Sequence, residues 1–387
     1  MAGAKGNLIS ATNLVTAVYI GVWWGVNGWW NTNLKKLLAA VHLPWWIGFF
    51  QLFLAFLLFF VLWVVRLVQF PRVPSYDLFF RNIVPQACCH LMVHFGIVLG
   101  TFAGSVSLTN VIKAGEPVTT CFLSAVFLES GVFSLATYLT LLPVIGGVGM
   151  ASVSATMRFN WPAFVASSVS NFGSSMRAVL CKMLSRDLKK KAESLEKRQQ
   201  QICDDDESPS AAETGGLLEK RQQKGFGASS SSSGIDAREV RAAGGRAKKR
   251  LSDAEVLLQS FAPGNLFGLV LAISSVTCLP FCLLFESDVL RGRLPPGQLE
   301  TSEERAAFMT QLAYSSVGYF VWNYLAYMLM DRLSSVSYAV ANTVKRVVTI
   351  VWAVVLGGEA VSVLSGAGTA VAIFGTLLYA LAKQYCG

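Results

Sequence analysis

Long apolar stretches interrupted by single charges set the pattern of this chain. Runs free of Asp, Glu, Lys and Arg cover 6–34, 37–65, 82–112, 130–157, 159–176, 256–285, 306–330 and 360–382. Runs 333–344 and 347–358 are parted only by Lys345 and Arg346, and 82–112 continues past Lys113 and Glu116 into 117–128. A bilayer-crossing helix takes about 20 mostly apolar residues. Run 82–112 is therefore too long for one helix, and Gly100, Gly104 and Ser105 mark a break in it. The pattern predicts an all-α polytopic membrane protein with ten transmembrane helices, near 10–33, 44–68, 82–102, 106–128, 132–153, 160–183, 257–285, 306–329, 332–356 and 361–383.

The predicted ends carry interfacial anchors: Trp23, Trp24, Trp29, Trp30, Trp45 and Trp46 cluster about the first two spans, where one edge of the indole can stay wet. Small-residue spacing at Gly146, Gly147 and Gly149, and again at Gly366 and Gly368, lets helices approach closely in lipid. The halves look related. Lys113 in span four precedes a glycine-rich span five, and Lys345 in span nine precedes a glycine-rich span ten. Five spans per half is odd, so tandem halves insert with opposite orientation, the inverted-repeat plan of many secondary transporters. The organisation expected is 1–183 for spans one to six, 184–255 as a disordered hydrophilic loop, and 256–387 for spans seven to ten.

Composition sharpens this. The chain is 53% hydrophobic and only 14% charged over 387 residues, against about 25% charged in soluble domains. That argues against a soluble enzyme, a disordered protein or a disulfide scaffold. The net charge of +9 misleads until it is located. Residues 186–250 hold 15 of the 32 Lys and Arg and 11 of the 23 Asp and Glu. The basic balance is thus partly a polar loop and partly membrane flanks, and it does not imply nucleic acid. The eight cysteines show no metal spacing. The G-x-x-x-x-G-K-[ST] string of a nucleotide-driven pump is absent. No cofactor is expected, and the protein is read as a monomer in the lipid bilayer.

Lys113, Lys345 and Arg346 are the informative residues, each deep inside an apolar run. One Lys or Arg at a helix centre costs roughly 2.5–3.5 kcal/mol on insertion scales. One reading pairs Lys113 with Glu116, a turn away, and lets Lys345 and Arg346 snorkel. About three helical turns of apolar sequence on either side of the latter pair argue against that. The other reading is a buried cationic pocket awaiting an anion, where Arg offers a planar fork and Lys a mobile point charge. His90 and His94 lie one turn apart without a carboxylate in the span, so a hydrogen bond fits them better than a metal. Asn27, Asn31 and Asn33 form a polar stripe suited to helix contacts or substrate. Arg177 is either interfacial or turned to the cavity, and Glu129 and Glu359 are read as interfacial.

With those residues in view, the chain resembles the plastid phosphate translocators, the triose-phosphate translocator family of the drug/metabolite transporters. The likeness runs through both halves and stops at the 184–255 insertion. It rests on the string from Ser107 through Thr109, Asn110 and Lys113 to Glu116 and Pro117, and on Asn342 through Lys345 and Arg346, with Asn323 and Asn265 through Pro280 in support. Nucleotide-sugar relatives often carry Lys-Thr where Lys345–Arg346 stands here. The resemblance implies ten helices and obligate exchange of inorganic phosphate for phosphorylated three-carbon compounds such as triose phosphate, 3-phosphoglycerate and phosphoenolpyruvate, without catalysis or an external energy source. It places phosphate on Lys113, Lys345 and Arg346. The rest of the ligand falls to His94, Arg177, Thr109, Trp322, Asn323 and Tyr324. Two positions depart: Ile97 stands where the family has Thr, and Trp322 where it has Tyr. Both bear on the organic end of the substrate.

The expected setting is a plastid-type membrane, with a nucleotide-sugar carrier of the ER or Golgi as the alternative and a non-transporting scaffold as the reading from another class. No Ser/Arg-rich transit segment precedes the first span. Either such a segment has been removed, or that span acts as a signal anchor, which would suit a plastid bounded by secretory-derived membranes.

Overall fold

A computed structural model describes residues 2–71, 76, 79–127, 134–152, 160–206, 263–291, 299, 301–333 and 335–385. Every regular element among the described residues is helical. In chain order these are α1 (Ala2–Ala40), α2 (Pro44–Val64), α3 (Val84–Ala103), α4 (Val106–Lys113), α5 (Glu116–Phe127), α6 (Leu135–Leu139), α7 (Leu141–Ser152), α8 (Trp161–Asp206), α9 (Pro263–Phe285), α10 (Ser302–Arg332), α11 (Ser335–Val355) and α12 (Val363–Tyr385). A π-helical turn, Phe79–Ile83, leads into α3, and a 3-10 turn, Ser287–Arg291, follows α9. Among the described residues, four stretches are long and apolar enough to cross a membrane: Pro44–Val64, Phe79–Ala103, Gly264–Phe285 and Val363–Ala382.

The chain forms two compact units. One comprises Met1–Phe70, Ser75–Cys181 and Pro263–Gly387; the other comprises Pro71–Pro74 and Lys182–Ala262. In the second, the described part is Pro71 and the helical stretch 182–206. Helix thus runs past 184, where the polar linker was expected to begin; residues 184–206 are rich in Lys, Glu, Gln and Arg, all good helix formers. The rest of that linker, 207–255, and Glu129 lie outside the described residues.

Local chemistry explains where the helices of the first unit begin and end. Pro44 opens α2 at a position where a missing N–H costs nothing. Gly104 and Ser105 part α3 from α4, and the Ser105 hydroxyl caps α4 by accepting from the Leu108 N–H at 3.0 Å. The span expected over 106–128 is interrupted: α4 stops at Lys113 and α5 starts at Glu116. Pro117 accounts for this, since its ring has no N–H for the Lys113 carbonyl four residues back and clashes with it. Thr301 and Glu304 form a reciprocal capping box on α10.

The core of this unit gathers Trp23, Trp30, Phe59, Phe267, Tyr319 and Trp322 from α1, α2, α9 and α10. Phe60, Val61, Val64, Val276, Leu284 and Phe374 are exposed. Apolar groups on both the inner and outer faces suit helices surrounded by hydrocarbon. The tightest seam joins α7 to α12. A Cβ added at Gly147 would strike the backbone of Gly368 and Ala372, and one at Gly368 would strike the backbone of Ala151 and Gly147. Only glycine permits that approach.

Two carboxylates reach across to helix starts. Glu286 accepts from the N–H groups of Trp45 and Trp46 at 3.0 and 2.9 Å. Glu359 accepts from those of Val106 and Ser107 at 2.8 and 2.9 Å. Glu359, read from the sequence as interfacial, thus caps the start of α4. Beside it, the Lys35 ammonium donates to the Thr101 carbonyl at 2.8 Å and to that of Gly104. The turn between α3 and α4 thus has a cation on its carbonyl end and a carboxylate on its N–H end, each the sign the helix dipole favours.

Candidate substrate site

The site lies wholly within the first unit, where the α4–α5 break meets α8 and α11. Lys113, the last residue of α4, donates to the Ser170 hydroxyl at 2.6 Å, and that hydroxyl donates in turn to the Val93 carbonyl at 3.1 Å. Glu116, the first residue of α5, accepts from the Ser174 hydroxyl and forms an ion pair with Arg346 of α11. Of the two readings of Lys113, the one that pairs it with Glu116 does not hold: Glu116 pairs with Arg346. Pro117 breaks the helix between the two residues, which directs the carboxylate toward the guanidinium and leaves the ammonium to a serine.

Arg346 is 6% exposed. Its Nη2 holds Glu116, while Nη1 is buried without a hydrogen-bond partner. Half of a fork built for two parallel bonds to an oxyanion is thus occupied and half is open. The next-door Lys345 ammonium sits over two indole rings, 4.7 Å from the Trp23 centroid and 5.3 Å from that of Trp322. Lys345 also interacts electrostatically with Arg346, Glu116, Lys113 and Arg177. Four cations therefore share one region, and Glu116 is the one carboxylate among their charged partners in the described residues.

Arg177 turns into the bundle, toward α3 and α10. Its Nη1 donates to His90 Nδ1 at 3.1 Å, and its guanidinium lies 5.6 Å over the Tyr327 ring. Guanidinium cannot accept, so His90 carries its proton on Nε2 and donates it to the Tyr319 hydroxyl at 2.9 Å. His94 is buried and donates from Nε2 to the Gly48 carbonyl at 3.0 Å. The two histidines are thus committed to different helices.

The remaining sequence-derived candidates divide. Trp322 joins the cluster through Lys345. Thr109 is buried against Gly100, one turn before Lys113, with its hydroxyl unpartnered. Asn323 donates to the Tyr319 carbonyl of its own helix at 3.0 Å, and Tyr324 stacks on Phe320 at 5.7 Å. Neither is brought to the charged groups by these contacts. Of the asparagine stripe, Asn27 accepts from Thr349 of α11 at 3.0 Å, which makes it a helix–helix contact. Sequence reasoning missed Ser170, Ser174 and Trp23. The serines were findable, since Ser170, Ser174 and Arg177 recur at i, i+4 and i+7 on one face of α8. An open apolar groove of about 580 Å³ between α11 and α12, lined by Ile350, Val354, Thr369 and Phe374 among others, has no charged lining.

An all-helical apolar bundle that buries clustered cations defines a membrane protein with an interior receptive to anions. The chain belongs to the Triose-phosphate Transporter family, which it matches over residues 14–203 and 237–380. It is 25% identical over 376 residues to glucose-6-phosphate/phosphate translocator 2, chloroplastic, of Arabidopsis thaliana, covering 97% of this chain and 77% of that one. It is 26% identical over 384 residues to phosphoenolpyruvate/phosphate translocator 3, chloroplastic, of Oryza sativa subsp. japonica, covering 99% and 78%. Triose phosphate/phosphate translocator, chloroplastic, of Brassica oleracea var. botrytis is 24% identical over 372 residues, covering 96% and 72%.

Proposed function

We propose that this protein is a secondary antiporter that exchanges inorganic phosphate for phosphorylated three-carbon compounds across a plastid-type membrane. In this reading it has ten spans arranged as two inverted five-helix repeats. The observation that carries the reading is the half-open Arg346 fork amid Lys113, Lys345 and Arg177. Phosphate oxygens fit Nη1 of Arg346 together with the two ammonium groups, while Glu116 keeps Nη2 and so holds the fork in place.

Charge then explains exchange. With Glu116 included, the empty cluster remains cationic, and closing it away from water is costly without a counter-charge. A phosphate dianion offsets most of that excess, so the loaded carrier interconverts far faster than the empty one. The relatives named as glucose-6-phosphate, phosphoenolpyruvate and triose phosphate translocators support a phosphorylated partner substrate.

The test is counter-exchange in liposomes preloaded with phosphate, offered triose phosphate, 3-phosphoglycerate, phosphoenolpyruvate, glucose 6-phosphate and UDP-sugars. Uptake of three-carbon phosphates that requires internal phosphate is expected. Uptake of UDP-sugars without any phosphate exchange would overturn the reading.

A further inference from the structure

We propose that Trp23 and Trp322 are positioning residues for anion recognition, their indole faces holding the Lys345 ammonium between α1 and α10 beside the Arg346 fork. The inference rests on the phosphate reading above and assigns a part to a pair of rings that reading does not need. The Lys345 ammonium makes no hydrogen bond or ion pair to any described residue; its contacts are the two ring faces at 4.7 and 5.3 Å. Both lie inside the 6 Å range over which a ring quadrupole attracts a cation, and indole is the strongest such ring.

The rings are themselves fixed. Trp23 is fully buried and stacks on Tyr338 with centroids 5.5 Å apart and planes 21° apart. Trp322 packs against Trp30 at 5.4 Å and Tyr319 at 5.9 Å. The Trp24 indole donates to the Ala341 carbonyl at 3.0 Å, which ties α1 to α11 one turn before Lys345.

A lysine side chain is a flexible four-carbon stem with a strongly hydrated head. Left alone in an apolar bundle it would either swing toward water or fold onto Glu116. Two π faces replace part of its hydration without supplying a competing anion. The two ring faces therefore confine the ammonium before phosphate arrives, and binding need not fix it afterwards. Aromatic holders serve this purpose better than a second carboxylate, which would cancel the charge the anion needs.

The test replaces Trp23 alone with mono- to tetrafluorotryptophan by nonsense suppression in cell-free synthesis into liposomes. Fluorine withdraws density from the ring face and leaves the shape nearly unchanged, so a purely packing role would not respond. The half-saturating phosphate concentration for phosphate counter-exchange should rise stepwise, roughly fivefold across the series, with maximal rate changing less than about twofold. The unfolding temperature of the phosphate-free protein should fall along the series in the Lys345-containing carrier and stay flat in Lys345→Met. Lys345→Gln serves as the second background if Lys345→Met does not fold. A flat half-saturation series, or the same thermal slope with and without Lys345, overturns the proposal. If the unsubstituted protein exchanges no phosphate, the phosphate reading fails, and the thermal arm still decides whether the rings hold the cation.

Discussion

Charge enters this apolar bundle at two places along one short helix, and the two are settled differently. At the start of α4, Glu359 is answered by two N–H groups, and Lys35 by two carbonyls at the end of α3. At the end of α4, Lys113 has one serine, Lys345 has two rings, and Arg346 has a carboxylate on one nitrogen and nothing on the other. The first place is complete and holds a turn together. The second has bonding capacity to spare, which in a low-dielectric interior is costly to maintain without a ligand. The contrast separates buried charge whose hydrogen bonds are complete from buried charge that keeps an unpartnered donor, at the two ends of one short helix.

The contrast can be broken at either end. Arg346→Gln should have the largest effect. It leaves Glu116 buried beside cations with its main partner gone, a loss of about 3–5 kcal/mol, so phosphate counter-exchange should drop more than about a hundredfold. Arg346→Lys keeps the charge and loses the fork, and about a tenfold fall is expected. Ser170→Ala removes the hydroxyl that holds Lys113; it should raise the half-saturating phosphate concentration by about tenfold with little change in unfolding temperature. Glu359→Gln should do the reverse. It should lower the unfolding temperature by a few degrees, from a capping loss of about 1 kcal/mol, and leave half-saturation by phosphate within about twofold. A large rise in half-saturation with Glu359→Gln would erase the distinction drawn between the two places. Deletion of residues 207–250 should have the smallest effect, with exchange within about twofold of the full chain, read in the same liposomes.

Much of this was legible before any coordinates, because an apolar run of twenty residues has few alternatives to a helix. The runs around α2, α3, α9 and α12, and the depth of Lys113, Lys345 and Arg346 within apolar sequence, follow from where charges interrupt that sequence. Their partners do not follow. Glu116 precedes a proline that turns it away from Lys113, and the effect on its direction depends on how α11 lies alongside. Trp23 looked like an interfacial anchor because indoles gather at helix ends, yet here it faces inward. The capping role of Glu359 was hidden because its partners are backbone N–H groups, which carry no sequence signature. The helix through 184–206 was hidden for another reason: a polar, charged segment has the composition of a linker and of an exposed helix alike.

The seam between α7 and α12 has a mechanical meaning. Backbone lies against backbone at Gly147 and Gly368, with no side chain between to act as a bearing. Sliding either helix by one turn, about 5.4 Å, would drive a methyl group or a larger side chain into space that admits only hydrogen. The pair is therefore locked in register and travels as one beam. Any relative movement of helices in this unit must find its hinge away from that seam.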